Sequence, residues 1–184
     1  PAAIGYSQTS GFPFELGLIR NHYVGRTFIE PTQSIRQFGV KLKHSVNVSF
    51  IKNKKVILID DSIVRGTTAK KIVKMVYDAG AKEVHLGVSC PPITHPDFYG
   101  IDTPNYDELI ASNKNIDEMS SVIGTKSLFF LSLNGTYRAM GCEGRDDSNP
   151  QFTDHCFTGD YPTQLIDMEQ GNISNQYSLL TEKN

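Results

Sequence analysis

The 184-residue sequence has no apolar run of about eighteen residues, no secretory signal pattern, no Cys-x-x-Cys pair and only three cysteines. The first two absences argue against a membrane-spanning helix and an exported chain. An odd cysteine count without paired spacing argues against a disulfide framework or a zinc ribbon, so a reduced, cytoplasmic protein is the simplest expectation. Charge of one sign is also lacking: 18 basic against 20 acidic residues give a net charge of −2 and a pI near 6.2, which supports neither nucleic-acid nor membrane binding. Neither Gly-x-x-x-x-Gly-Lys-Ser/Thr nor Gly-x-Gly-x-x-Gly occurs, so the common nucleotide-binding loops are missing. The five histidines, at 22, 44, 85, 95 and 155, show no metal spacing and are assigned no catalytic role. There is no internal repeat and no low-complexity segment.

What is present concentrates in residues 54–80. Lys54 to Ile59 is β-branched and continuously apolar after its lysines, which predicts a strand buried on both faces of a parallel sheet. Asp60 and Asp61 follow at its carboxyl end, where open α/β sheets bind ligands. Ala69, Ile72, Val73 and Val76 then repeat at helical spacing with Lys70, Lys71 and Lys74 facing outward, and Gly80 is placed to stop the helix.

In this order of strand, loop and helix, the N–H groups around Arg65 to Thr68 leave the helix start and suit a phosphate. Gly66 allows close approach, and the hydroxyls of Ser62, Thr67 and Thr68 add hydrogen bonds. Two carboxylates repel phosphate, so Asp60 and Asp61 need ribose hydroxyls or a hard cation such as Mg²⁺. The competing reading is an ordinary helix cap with solvated loop carboxylates. Upstream, Arg26, Arg36, Lys41 and Lys43 lie among Gly25, Pro31 and Gly39, the composition of a mobile lid or of a basic, solvated surface loop.

Downstream, Lys82 to Ser89 predicts a second strand and Ser127 to Leu133 a third, with short helices over Tyr106–Ser112 and Asn115–Ile123. Asn115 with Glu118 reads as a capping box. The alternation predicts an α/β fold with a parallel sheet and right-handed crossovers. After Asn134 the pattern weakens, 145–150 reads as a loop and 171–184 as a frayed polar tail.

Val56-Ile-Leu-Ile-Asp60-Asp61-Ser62-Ile63-Val64-Arg65-Gly66-Thr67-Thr68 resembles the signature of phosphoribosyltransferases, which bind 5-phosphoribosyl-1-pyrophosphate. Salvage members usually carry Thr-Gly where this chain has Arg65-Gly66, and the wording is similar to the amidophosphoribosyltransferase family. Residues 20–31, 90–102, 108–111 and 156–163 resemble that family too, so the likeness covers nearly the whole chain and fades after about Asp167.

The resemblance implies a type I phosphoribosyltransferase fold, incomplete at its N-terminal side: a partial domain over 1–140, with a flexible lid at 20–50 and the substrate loop at 56–68, then a C-terminal extension and tail over 141–184. It implies that Asp60 and Asp61 hold the ribose hydroxyls and Mg²⁺, that Ser62, Ile63, Val64, Arg65, Gly66, Thr67 and Thr68 surround the 5-phosphate, and that Tyr23, Arg26 and Lys43 belong to the closing lid, with Arg26 and Lys43 facing pyrophosphate. The implied reaction displaces pyrophosphate by ammonia to give phosphoribosylamine, at the start of purine synthesis. Members are much longer and, when full length, are expected to be homo-oligomers. Their ammonia comes from a glutaminase domain whose nucleophile is an amino-terminal cysteine, where this chain has Pro1. The chain alone is therefore expected to be an inactive fragment.

Some relatives bind an iron–sulfur cluster through cysteines. This chain shows Asp97 and Thr153 at such positions and keeps only Cys156, so no cluster is expected. The alternatives are a salvage or pyrimidine phosphoribosyltransferase, or a regulatory protein that senses phosphoribosyl pyrophosphate without chemistry.

Overall fold

The structure, a computed structural model, describes residues 1–20, 44–101, 103 and 105–165, with only the backbone of residue 44. Three parallel strands form its centre: β3 (Lys55–Asp60), β4 (Glu83–Val88) and β5 (Ser127–Phe130), in the order β3-β4-β5. The ladder runs from Lys55↔Glu83 to Asp60↔Val88 and from His85↔Ser127 to Val88↔Phe130. A short antiparallel pair, β1 (Leu18–Arg20) and β2 (His44–Val46), joins the two ends of segment 21–43 through Leu18↔Val46 and Arg20↔His44. Helix α1 (Ala2–Ser10) precedes the pair, and the short helix α2 (Val48–Ile51) follows it, plugging Ile51 into the core. The C-terminal end of the expected lid, residues 44–50, is thus regular structure.

The middle strand carries the core. Val84, Leu86 and Val88 are buried on β4, whereas β3 is half-buried along its apolar run. This half-burial departs from the expectation of a strand buried on both faces, and among the described residues β3 is also hydrogen-bonded on one side only. Helix α3 (Thr67–Asp78) buries Ala69, Val73 and Val76 and leaves Lys70 and Lys74 exposed, as its periodicity requires. It ends at Ala79 and Gly80, the latter at φ +92°.

Two boundaries differ from expectation. The predicted helix at 106–112 breaks into a 3₁₀ turn, Tyr106–Glu108, and a short helix α4 (Ile110–Asn113), because Leu109 is extended and fully buried between them. Asn113 Nδ2 holds the break by donating to the carbonyls of Tyr106 and Leu109 at 2.7 and 2.9 Å. The third strand stops at Phe130, and Ser132 caps a helix, α6 (Leu133–Ala139), by accepting from the Gly135 N–H at 3.0 Å. Between them, α5 (Ile116–Ile123) has the predicted capping box: Asn115 Oδ1 accepts from the Glu118 N–H at 3.0 Å, and Glu118 Oε2 accepts from the Asn115 N–H at 2.8 Å.

Beyond α6 the chain is pinned by polar contacts. The Arg145 side chain, only 6 % exposed, meets Asp154 at 2.7 Å, Asp147 at 2.6 Å and Asp160. Tyr137, buried in α6, donates to Asp154 Oδ2 at 2.8 Å. Helix α7 (His155–Thr158) then closes against residues 94 and 95, whose N–H groups donate to the Cys156 carbonyl.

Candidate active site at the carboxyl end of the parallel sheet

Asp60 ends β3, and its carbonyl accepts both the N–H and the hydroxyl of Ser89, just past β4, at 2.9 and 3.1 Å. This pair of hydrogen bonds fixes the point where the chain leaves the sheet. The turn is then made by the carboxylates themselves: Asp60 Oδ1 accepts the Asp61 N–H at 3.0 Å, and Asp61 Oδ1 accepts the Ser62 N–H at 2.7 Å. Asp60 is half-buried and Asp61 exposed, so both keep the access that a ribose or cation needs.

Ile63 drops its side chain into the core at 2 % exposure. Its side chain is an anchor for the loop, and a ligand would meet only its backbone. Val64 is tied down by its carbonyl, which accepts the Ile110 N–H at 3.0 Å. Gly66 then adopts φ +75° as the residue before α3, a conformation an L side chain rarely takes, and a Cβ there would sit 3.0 Å from Ile110 Cδ1. The loop therefore delivers the N–H groups of Thr67 and Thr68 at the start of a twelve-residue amphipathic helix, where the helix itself offers them no acceptor.

The Arg65 guanidinium is engaged by Glu108, with Nε and Nη2 both on Oε2 at 2.8 and 2.6 Å. Glu108 stands out in the sequence only as part of a resembling stretch, 43 positions from its partner. Cys90, beside the end of β4, has its thiol pushed up to about 11 by burial and by the charges of Asp61 and Asp60. That shift disfavours the thiolate a nucleophile would need.

A cavity of about 110 Å³ opens beside Asp60 and is walled in part by Leu18 of β1 and by Leu58 and Ile72. Leu18, in the strand that precedes residue 21, thus shares a cavity with Asp60. Tyr23, Arg26 and Lys43, the lid residues expected from sequence, lie outside the described residues.

A second cluster forms away from this loop. Asp97 Oδ1 and His155 Nε2 meet at 2.7 Å, both side chains buried, and Cys156 offers its sulfur within 4.8 Å of them. Sequence spacing carries no hint of this, since Asp97 and His155 are 58 positions apart. Asp97 Oδ2 also accepts the N–H groups of Tyr99 and Ile101 at 3.1 and 2.7 Å. Burial raises the Asp97 carboxyl, but the hydrogen bonds from Ile101, His155 and Tyr99 outweigh it and leave the group below the ordinary carboxylate range.

The donor set does not fit an iron–sulfur cluster, which needs thiolates. Here an aspartate already saturated by hydrogen bonds sits beside one thiol that burial and the Asp97 charge push upward.

No family model matches the sequence. Individual relatives do. The amidophosphoribosyltransferase of Rhizobium etli is 61 % identical over 181 residues, 98 % of this chain and 36 % of its own length. That of Bacillus subtilis is 51 % identical over 164 residues, 89 % of this chain and 34 % of its own. A solved glutamine phosphoribosylpyrophosphate amidotransferase from B. subtilis, complexed with ADP and GMP, superposes with a TM-score of 0.75 at 52 % identity, over 89 % of this chain and 36 % of that one. The chain thus spans about a third of the length of these relatives. The parallel sheet, the loop at its carboxyl end and identity of this level over nearly every residue agree, and the chain belongs to the amidophosphoribosyltransferase family, matching the phosphoribosyltransferase portion of its members.

Proposed function

We propose that the chain is the phosphoribosyltransferase part of an enzyme that converts phosphoribosyl pyrophosphate and glutamine-derived ammonia to 5-phosphoribosylamine, the first committed step of purine synthesis. The observation that carries this reading is the turn built at the end of β3, where two accessible carboxylates are followed within six residues by a glycine-opened helix start. Carboxylates and N–H donors so close together suit a ligand with both hydroxyls and a phosphate. The names of the relatives support the same choice.

In this reading the N–H groups of residues 66–68 and the hydroxyls of Ser62, Thr67 and Thr68 bind the 5-phosphate, with the helix dipole adding to the attraction. Asp60 and Asp61 orient the ribose hydroxyls and would hold Mg²⁺, their donor set of accessible carboxylate oxygens being of the kind a hard cation takes. When bound, Mg²⁺ supplies charge stabilisation for the departing pyrophosphate. Arg26 and Lys43 would add positive charge from the lid, and Tyr23 would help close it over the sugar, excluding water from the cation-like ring. The two-part division at about residue 140 and a cytoplasmic location belong to the same proposal, although plant relatives are named chloroplastic.

The test is pyrophosphate release by a full-length enzyme carrying this chain. Release is expected with glutamine or ammonia and with Mg²⁺, and Asp60→Asn or Asp61→Asn should abolish most of it while the thermal transition stays put. Release that instead required a purine or pyrimidine base would overturn the assignment. The isolated chain is expected to show no turnover.

A further inference from the structure

We infer that Glu108 is a positioning residue for the phosphate loop, acting through Arg65. The inference rests on the function proposed above. Three consecutive loop residues are held by one short stretch of chain, each by a different kind of contact. The Val64 carbonyl accepts the Ile110 N–H at 3.0 Å. The Arg65 guanidinium presents Nε and Nη2 to a single Glu108 oxygen at 2.8 and 2.6 Å. The α-carbon of Gly66 packs so closely on Ile110 that an added methyl would lie 3.0 Å from its Cδ1.

That stretch is itself braced. Asn113 holds the carbonyls of Tyr106 and Leu109, and Leu109 is fully buried. Glu108 is therefore carried on a braced stretch of backbone, and Arg65 is the loop side chain that reaches its carboxylate.

Two consequences follow for an anion-binding loop. The guanidinium has its long, rotatable stem already ordered, and Gly66 is kept at φ +75°, the conformation that turns the following N–H groups toward the ligand. Binding of a phosphate then needs little rearrangement. Without the Glu108 charge the backbone and packing contacts remain, so the loop keeps its path but Arg65 is no longer held. Both partners are about half exposed, which limits the effect to about two- to five-fold on substrate binding.

The experiment uses a full-length enzyme carrying this chain. Glu108→Gln is expected to raise KM for phosphoribosyl pyrophosphate about two- to five-fold at low salt, with kcat nearly unchanged, and the difference from the parent should shrink as salt screens the pair. In an Arg65→Met background, Glu108→Gln should add nothing. A parallel measurement, solvent exchange of the Arg65 Nε–H followed by NMR, should show faster exchange in Glu108→Gln, because that N–H donates to the Glu108 carboxylate. An unchanged or lowered KM, an equal effect in both backgrounds, or unaltered exchange would overturn the role. A parent enzyme that released no pyrophosphate would instead defeat the functional reading, while the exchange measurement would still judge the hold of Glu108 on the loop.

Discussion

Replacing Gly66 by alanine tests the loop geometry, because the cost divides into two parts that other glycines isolate. At φ +75° an L residue incurs the left-handed penalty, about 1–2 kcal/mol. The new Cβ also meets Ile110 Cδ1 at 3.0 Å and Ile123 Cγ1 at 3.7 Å. Since Cδ1 is the far end of a side chain, it yields for little energy, but yielding loosens the packing of Ile110 against Gly66 at the start of α3. For a chain of this size the stability loss corresponds to a fall in melting temperature of roughly 2–8 °C.

Gly124 is the control. It has φ +88° with nothing within 4 Å of an added methyl, so Gly124→Ala carries the same backbone strain and no contact. Melting curves of both variants, with KM for phosphoribosyl pyrophosphate in a full-length enzyme, separate the parts: similar thermal losses are expected, but a raised KM only for Gly66→Ala. Equal KM values for the two, or a Gly66→Ala protein as stable as its parent, would refute the reasoning.

Gly87→Ala, on the middle strand, should destabilise by about 1–3 kcal/mol in denaturant titration, because its Cβ would lie 2.5 Å from the Phe129 ring and 2.9 Å from Ile59 Cδ1. Asp154→Asn should cost about 3 kcal/mol by the same measurement, since it strands the buried Arg145 guanidinium beside only Asp147 and Asp160, both largely exposed. Asp97 and Asp154 both sit below their ordinary value of 3.8 in the folded chain, so the unfolded chain binds protons first on acidification. Their contribution should be complete above that value and be lost as pH falls through it toward the folded value. Melting temperature against pH should show that loss, and Asp97→Asn should make it shallower.

The loop after β3 and its flanking elements are legible in the sequence because their signals are local. An apolar run ending in two aspartates, a glycine and a helical repeat are read within about two dozen consecutive residues, and the structure places Asp60, Gly66 and α3 accordingly. The capping box at Asn115 is legible for the same reason. The break at Leu109 is hidden, because a buried extended residue between two helical turns has no compositional mark and depends on what covers it. Ile63 cannot be recognised as an anchor from within a loop motif, since only the packing around it shows that its side chain points inward.

By itself the sequence determined the order of strand, acidic turn and amphipathic helix, the absence of a competing nucleotide motif, and the resemblance that comparison with known proteins bore out. Tertiary structure alone decided which strand is central, that Glu108 holds Arg65, and that Asp97 pairs with His155. The physical reason is range. Backbone periodicity and turn chemistry act between neighbours in the chain, whereas ion pairs and burial act between neighbours in space, and the fold brings together side chains 43 and 58 positions apart.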